Sequence, residues 1–123
     1  MPKFLVLYRG GDASTLSPKQ NETLMKKWGQ YLETLVQAGA LKDGGPVRSS
    51  AATQMVGKAK AIKAKRAGTL ASFVGGYCVL EGQDMKAIQT LSKTCPHLTM
   101  MDGTIEILPV VEMPQGPAVE AKG

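Results

Sequence analysis

The stretch Lys3-Phe4-Leu5-Val6-Leu7-Tyr8-Arg9 decides how the rest of the chain is read. Successive side chains of a strand point to opposite faces. Phe4, Val6 and Tyr8 therefore share one face, and Leu5, Leu7 and Arg9 the other. Both faces are largely apolar, so this strand belongs inside a sheet that is covered on both sides. Gly10, Gly11 and Asp12 break it. A second stretch, Tyr77-Cys78-Val79-Leu80-Glu81, follows the pair Gly75-Gly76 and is again apolar on both faces.

Outward from the first strand the chain enters a helix. Ser17 suits the N-cap, Pro18 the first helical position, and Gln20 completes a capping box. Leu24, Met25, Trp28, Leu32, Leu35 and Val36 recur at helical spacing and predict one apolar stripe. Gly29 lowers helix propensity within it. Gly39 is placed to end the helix in a left-handed cap. Ala40 to Arg48 reads as a short strand interrupted by Gly44, Gly45 and Pro46, with Pro46 better suited to a sheet edge. Thr53 to Lys65 reads as an extended, basic hairpin with a turn or bulge near Ile62. A short Ala/Lys-rich helix is the alternative there. Asp84 caps a second helix through Thr94, with Ala87, Ile88, Leu91 and Cys95 on one side, and Pro96 stops it. Asp102-Gly103 is a turn, and Thr104 to Leu108 is the last strand.

This order of elements predicts an α+β fold of ferredoxin-like βαββαβ type with an inserted β-hairpin. The domain is expected over residues 1–113, followed by a flexible Pro-, Gly- and Ala-rich tail at 114–123. In that fold the first and third main strands are central, and these are the two that are apolar on both faces. Two helices cover one sheet face only. A second copy packed on the other face would give a homodimer, a dimeric α/β barrel.

Length and charge narrow the function classes. The chain has 123 residues, fits one domain, and carries a net charge of +5. Between Asp43 and Glu81 there is no acidic residue, while Arg48, Lys58, Lys60, Lys63, Lys65 and Arg66 supply six positive charges, which leaves the remainder at −1. Lys58, Lys60, Lys63, Lys65 and Arg66 are the candidate anion-binding residues. The competing reading is a solvated edge hairpin whose lysines discourage sheet-to-sheet pairing. The run lacks an aromatic residue to stack on a base, which argues against nucleic acid. The absence of a secretory signal, of a long apolar run and of a cysteine framework predicts a soluble cytoplasmic protein without membrane contact.

Five stretches together resemble one family: MPKFLVLYRGGD, SPKQ, AGALKDGGPV, GGYCVLEG and CPHLTMMDGTIEILPV. They span most of the chain between Met1 and Val111 and are similar to the YCII-related proteins, in particular their longer, DGPF-type branch. The last stretch is the most specific, combining a helix stop, a histidine and a final strand. The resemblance implies a ferredoxin-like fold, a dimeric α/β barrel, and small proteins of unknown function. Some relatives in the wider superfamily are enzymes acting on aromatic or lactone-like compounds. Two departures limit it. The DGPF motif is missing where this chain reads AKRAGTLASF. Trp28 stands where shorter relatives look to have a helix histidine that pairs with an aspartate.

His97 is the sole histidine, so any imidazole chemistry rests on it. It is a candidate general acid or base at the end of the second helix, with Asp102 near enough in sequence to orient it. The bland alternative is a helix-end histidine bonding exposed carbonyls. Tyr8, Arg9, Trp28 and Asp43 are candidate ligand-binding residues, with Tyr31 beside them. Arg9 could hold a carboxylate, although Tyr8 and Arg9 point to opposite faces. Trp28 and Tyr31 also fit the core, and Asp43 a turn. Cys78 and Cys95 lack metal or redox spacing, and the glycine pairs match no phosphate loop, so neither a metal nor a cofactor is expected. Three functions remain open on these residues. The first is binding of a small organic molecule in a cavity near the dimer interface. The second is a lyase- or isomerase-type enzyme using His97. The third is a regulatory module whose basic hairpin meets an anionic partner.

Overall fold

The computed structural model describes residues 1–11, 14, 16–47, 53–58, 61–66 and 74–112. The elements run β1 (Lys3–Gly10), α1 (Pro18–Gln37), β2 (Leu41–Pro46), β3 (Thr53–Lys58), β4 (Ala61–Arg66), β5 (Val74–Glu81), α2 (Met85–Ser92), α3 (Pro96–Thr99) and β6 (Gly103–Pro109). The main sheet is antiparallel with strand order β2-β5-β1-β6. Leaving out the hairpin, that is the second, third, first and fourth strand side by side, the ferredoxin-like arrangement. The two doubly apolar stretches, β1 and β5, are the central pair.

Local chemistry explains where α1 starts and stops. Ser17 accepts from the Gln20 backbone at 3.1 Å, and the Gln20 side chain accepts from the Ser17 N–H at 2.8 Å. Ser17→Ala should therefore cost about 1 kcal/mol, read as a shift in urea midpoint at constant slope. At the other end Gly39 has φ +68°. The Ala40 N–H bonds the Leu35 carbonyl and the Gly39 N–H bonds that of Val36, the paired bonds of a Schellman motif. Ala40 and Leu35, its two apolar partners, are both buried.

The apolar stripe of α1 divides in two. Leu24, Tyr31 and Leu35 are buried, but Met25 is 70% and Val36 58% exposed, and Leu32 reaches the surface as well. One helix face can press on only one sheet, so the apolar positions beyond that arc stay outside. The core lies between the sheet and the helices. It combines Phe4, Val6, Tyr8, Cys78 and Leu80 from the strands with Tyr31, Leu35, Ile88 and Cys95.

The second helix is shorter than its sequence suggests. It ends at Ser92, whose hydroxyl bonds the Ile88 carbonyl at 2.9 Å. Pro96 does more than stop it. A proline also suits a first helical turn, and Pro96 opens α3, with Cys95 as N-cap. His97 therefore sits inside a separate short helix instead of trailing the previous one. The hairpin expected over Thr53 to Lys65 forms as the antiparallel pair β3 and β4, a sheet of its own. Ile62 pairs with Gly57 and Ala61 with Lys58, so the ladder closes next to Ile62. The tail expected at 114–123 lies outside the described residues, as does residue 113.

The other sheet face carries Leu5, Leu7, Tyr77 and Val79, each half-buried, with Leu108 at 44% exposure. Among the described residues no helix lies across it. Arg9 and Glu106 pair there at 2.9 Å, and the Tyr77 hydroxyl donates to the Asp43 carboxylate at 3.3 Å. That carboxylate holds the Tyr77 hydroxyl above its usual pKa range. No described helix is long and apolar enough to cross a membrane.

Candidate functional site

The register places Tyr8, Gly76, Cys78, Gly44 and Pro46 on the helix-covered face of the sheet. Two of these five positions, Gly44 and Gly76, have no side chain. Space is left where α1 passes over them, and it forms a cavity of about 720 Å³. Tyr8, Cys78 and Pro46 line it from the sheet, Trp28, Met25 and Leu32 from α1, and His97 and Met101 from the far end. Its walls are mainly apolar, and its volume lies in the usual range for small-molecule sites. The cavity lies under α1, on the opposite side of the sheet from the face expected to meet a second copy.

Three rings from three elements converge on it. Tyr8 on β1 and Trp28 on α1 meet edge to face at 5.4 Å between centroids. Tyr8 and His97 do so at 5.8 Å, and Trp28 lies 6.5 Å from His97. Such geometry holds each ring through the quadrupoles of the other two.

His97 is 4% exposed. Its Nε2 lies 2.7 Å from the Arg9 carbonyl oxygen. A carbonyl can only accept, so Nε2 carries the proton and donates. In the neutral ring Nδ1 then holds the lone pair. Among the described residues nothing donates to Nδ1, and no buried side-chain nitrogen or oxygen lacks a partner. His97 is one of the residues that line the cavity. Two glycines flank the imidazole. A Cβ on Gly103 would overlap Nε2 and Cδ2, and one on Gly11 would stand 2.8 Å from Cε1.

The Tyr8 hydroxyl donates to Cys78 Sγ at 3.3 Å and lies 3.5 Å from the Tyr31 hydroxyl. Burial, and then the neighbouring Tyr31, push the Tyr8 phenol far above its ordinary pKa, so it remains an O–H group. Burial likewise lifts Tyr31 to about 12. Cys78 rises through burial, and Cys95 rises to about 11 from 9.0 for the same reason. Buried protonated thiols are poor nucleophiles. Both cysteines should react slowly with a disulfide reagent at pH 8 in the native protein and rapidly in urea. The sign for stability follows. The Cys95 contribution is complete below pH 9.0 and is lost as pH rises toward about 11.

The candidates read from the sequence separate. Tyr8, Trp28 and His97 come together. Arg9 points its guanidinium to the opposite sheet face, and only its carbonyl enters the site. The Asp43 carboxylate accepts from the Gly44 N–H at 2.8 Å and from Tyr77, so β2 brings its backbone to the cavity while its acid is engaged elsewhere. Asp102 is exposed with φ +51°. Among the described residues no hydrogen bond joins it to His97, and the Arg9 carbonyl orients the ring. Lys58, Lys63, Lys65 and Arg66 belong to β3 and β4, and Lys60 lies outside the described residues. Met25, Leu32 and Met101 also line the cavity, although their sequence setting does not mark them as site residues. The signal for the first two was there, since α1 has more apolar positions than one core face can use. Nothing in the sequence pairs Gly11 and Gly103 with His97. Among the described residues no three His, Cys, Asp or Glu groups gather as a metal site.

The YCII-related domain family model matches residues 3–114. No curated protein matches the chain. Among solved structures it is similar to 5-chloro-2-hydroxyhydroquinone dehydrochlorinase from Burkholderia phenoliruptrix AC1100, in complex with 2,5-dihydroxybenzoquinone. That likeness has a TM-score of 0.48 and 16% identity, and covers 94% of this chain and 97% of the other.

Proposed function

The chain belongs to the YCII-related domain family, and from that premise we propose that it binds a small organic molecule in the cavity bounded by Tyr8, Trp28 and His97. One observation carries the reading: a cavity of about 720 Å³ has apolar walls and a single imidazole whose Nδ1 is left without a partner among the described residues. Apolar walls supply affinity through burial, and a few placed polar atoms supply orientation. Trp28 is the sole tryptophan, so its indole N–H gives one assigned NMR signal without further labelling schemes. A screen of small aromatic fragments should move that signal saturably. A library that leaves it unmoved, while shifting signals elsewhere or nowhere, contradicts the reading.

A homodimer is part of the same proposal. Leu5, Leu7, Tyr77 and Val79 form an apolar sheet face that a second copy would cover with its own. Sedimentation equilibrium should give twice the mass of one chain, and Leu7→Lys should reduce it to that of one chain. A single-chain mass for the unaltered protein at micromolar concentration would remove the dimer.

A second reading is favoured by the same Nδ1. With Nε2 engaged by the Arg9 carbonyl, Nδ1 is the ring atom that would take a proton from a bound molecule, as a lyase- or isomerase-type enzyme requires. Turnover abolished by His97→Gln with fragment binding retained would support catalysis over binding alone.

A further inference from the structure

We infer that the outer rim of α1, at Met25 and Leu32, is the seat of the chain's own β3–β4 hairpin, which docks there through one face and covers the mouth of the cavity. The docking stands whether or not the cavity takes a ligand.

The register makes the hairpin two-faced. Residues paired across an antiparallel ladder share a face, and successive residues alternate between faces. Thr53 pairs with Arg66, Met55 with Ala64 and Gly57 with Ile62, and these six positions form one face. Gln54 pairs with Lys65, Val56 with Lys63 and Lys58 with Ala61, and these form the other. The first face is apolar except at Thr53 and Arg66, where the ladder begins. The second carries three lysines. A two-stranded hairpin is marginally stable in water unless it packs on something. Met55 is 64% exposed, so the apolar face still has surface to bury.

Placement and charge select the partner surface. Met25 and Leu32 on α1 and Lys42, Asp43 and Gly44 on β2 line the cavity and are exposed, so the cavity opens between α1 and the edge strand β2. The hairpin leaves the sheet on the β2 side of that opening. Pro46 pairs with Gly76, and the Val47 N–H donates to the Gly75 carbonyl at 3.1 Å. The chain enters β3 through residues 48–52 and returns through 67–73. Each strand of the hairpin has six residues. That is about 20 Å of chain, more than the roughly 10 Å between packed layers, so the apolar face reaches α1. Links this short hold the hairpin near its own rim at an effective concentration of about millimolar, above that of a second copy in dilute solution. Seating the apolar face joins Met55 to Met25 and Leu32 and leaves the lysine face in water. The opposite seating would press three ammonium groups against an apolar rim.

The unaltered full chain, isotope-labelled at its methionine methyl groups, tests this. A nuclear Overhauser signal is expected between the methyls of Met55 and Met25. In a mixture of labelled and unlabelled chains, no such signal should pass between chains. Met55→Lys should shift the equilibrium toward the undocked form by about tenfold. The Met55–Met25 signal is then lost in that variant through the substitution itself, so the reading is quenching by acrylamide of Trp28, the sole tryptophan and a lining residue, which should become faster. Gln54→Lys, the same new charge one position away on the lysine face, should leave both the methyl signal and the quenching as in the unaltered chain. No signal between Met55 and α1 in the unaltered chain, or equal quenching in the two variants, would overturn the docking. A signal found only between chains would overturn it as well, and would give the apolar face to a second copy. Ligand binding enters none of these readings, so failure of the cavity as a ligand site and failure of the docking are told apart.

Discussion

Replacing Gly103 with alanine should lower stability by about 2–4 kcal/mol, although the change adds one methyl group at the start of a strand. The added Cβ would overlap Nε2 and Cδ2 of His97. Overpacking of this kind costs about 1–3 kcal/mol. A ring pushed aside also loses its bond to the Arg9 carbonyl, worth about 1 kcal/mol more. Gly103 is not among the glycines with positive φ, so backbone strain does not contribute. At about 4 °C per kcal/mol the midpoint of thermal unfolding should fall by about 8–16 °C. The decisive control is a double-mutant cycle. Once His97→Ala has removed the ring, Gly103→Ala should cost less than about 1 kcal/mol. An equal cost in both backgrounds would mean that the glycine serves the turn and not the histidine.

Leu35→Ala should be the most damaging single truncation in α1, at about 2–5 kcal/mol by denaturant unfolding. Leu35 is 0% exposed, between the sheet and the helix end, and its carbonyl holds the C-terminal cap. Val36→Ala, one position on, should stay within about 0.5 kcal/mol because that side chain is solvent-facing in one chain. Similar costs at the two positions would contradict the division of the helix into a core face and an outer face. If the protein's apolar outer positions were buried against another molecule, Val36 would be the position to reveal it.

The sequence and the structure agree where the signal is local or strongly periodic. Ser17, Pro18 and Gln20 specify a helix start through three neighbouring residues, and both bonds of the box are present. Lys3 to Arg9 and Tyr77 to Glu81 announce central strands because both of their faces are apolar. The site was legible in its residue types but not in its assembly. His97 was conspicuous as the only imidazole, yet its partner is a backbone carbonyl 88 positions away in sequence, and a carbonyl leaves no mark on composition. Asp102 looked like the orienting group because it is close in sequence. It instead occupies the positive-φ position just before Gly103, the residue that meets the ring. Arg9 and Asp43 carry the charges that a binding site would use, but strand alternation sends both to the opposite face of the sheet. The cavity itself follows from missing side chains at Gly44 and Gly76, which sequence alone presents as turn signals. Proline has two meanings at position 96, the end of one helix and the first residue of the next. Only the three-dimensional path of the chain separates them.

Everything proposed for function rests on the cavity beneath α1, bounded by Tyr8, Trp28 and His97, being a ligand site. A crystal of the full chain soaked with 2-naphthol tests it most directly. Ring density in that cavity, beside Trp28 and with the Nε2 bond to Arg9 intact, is the expected result. Density only on the Leu5–Leu7 face of the sheet, or a cavity without ring density, would contradict it.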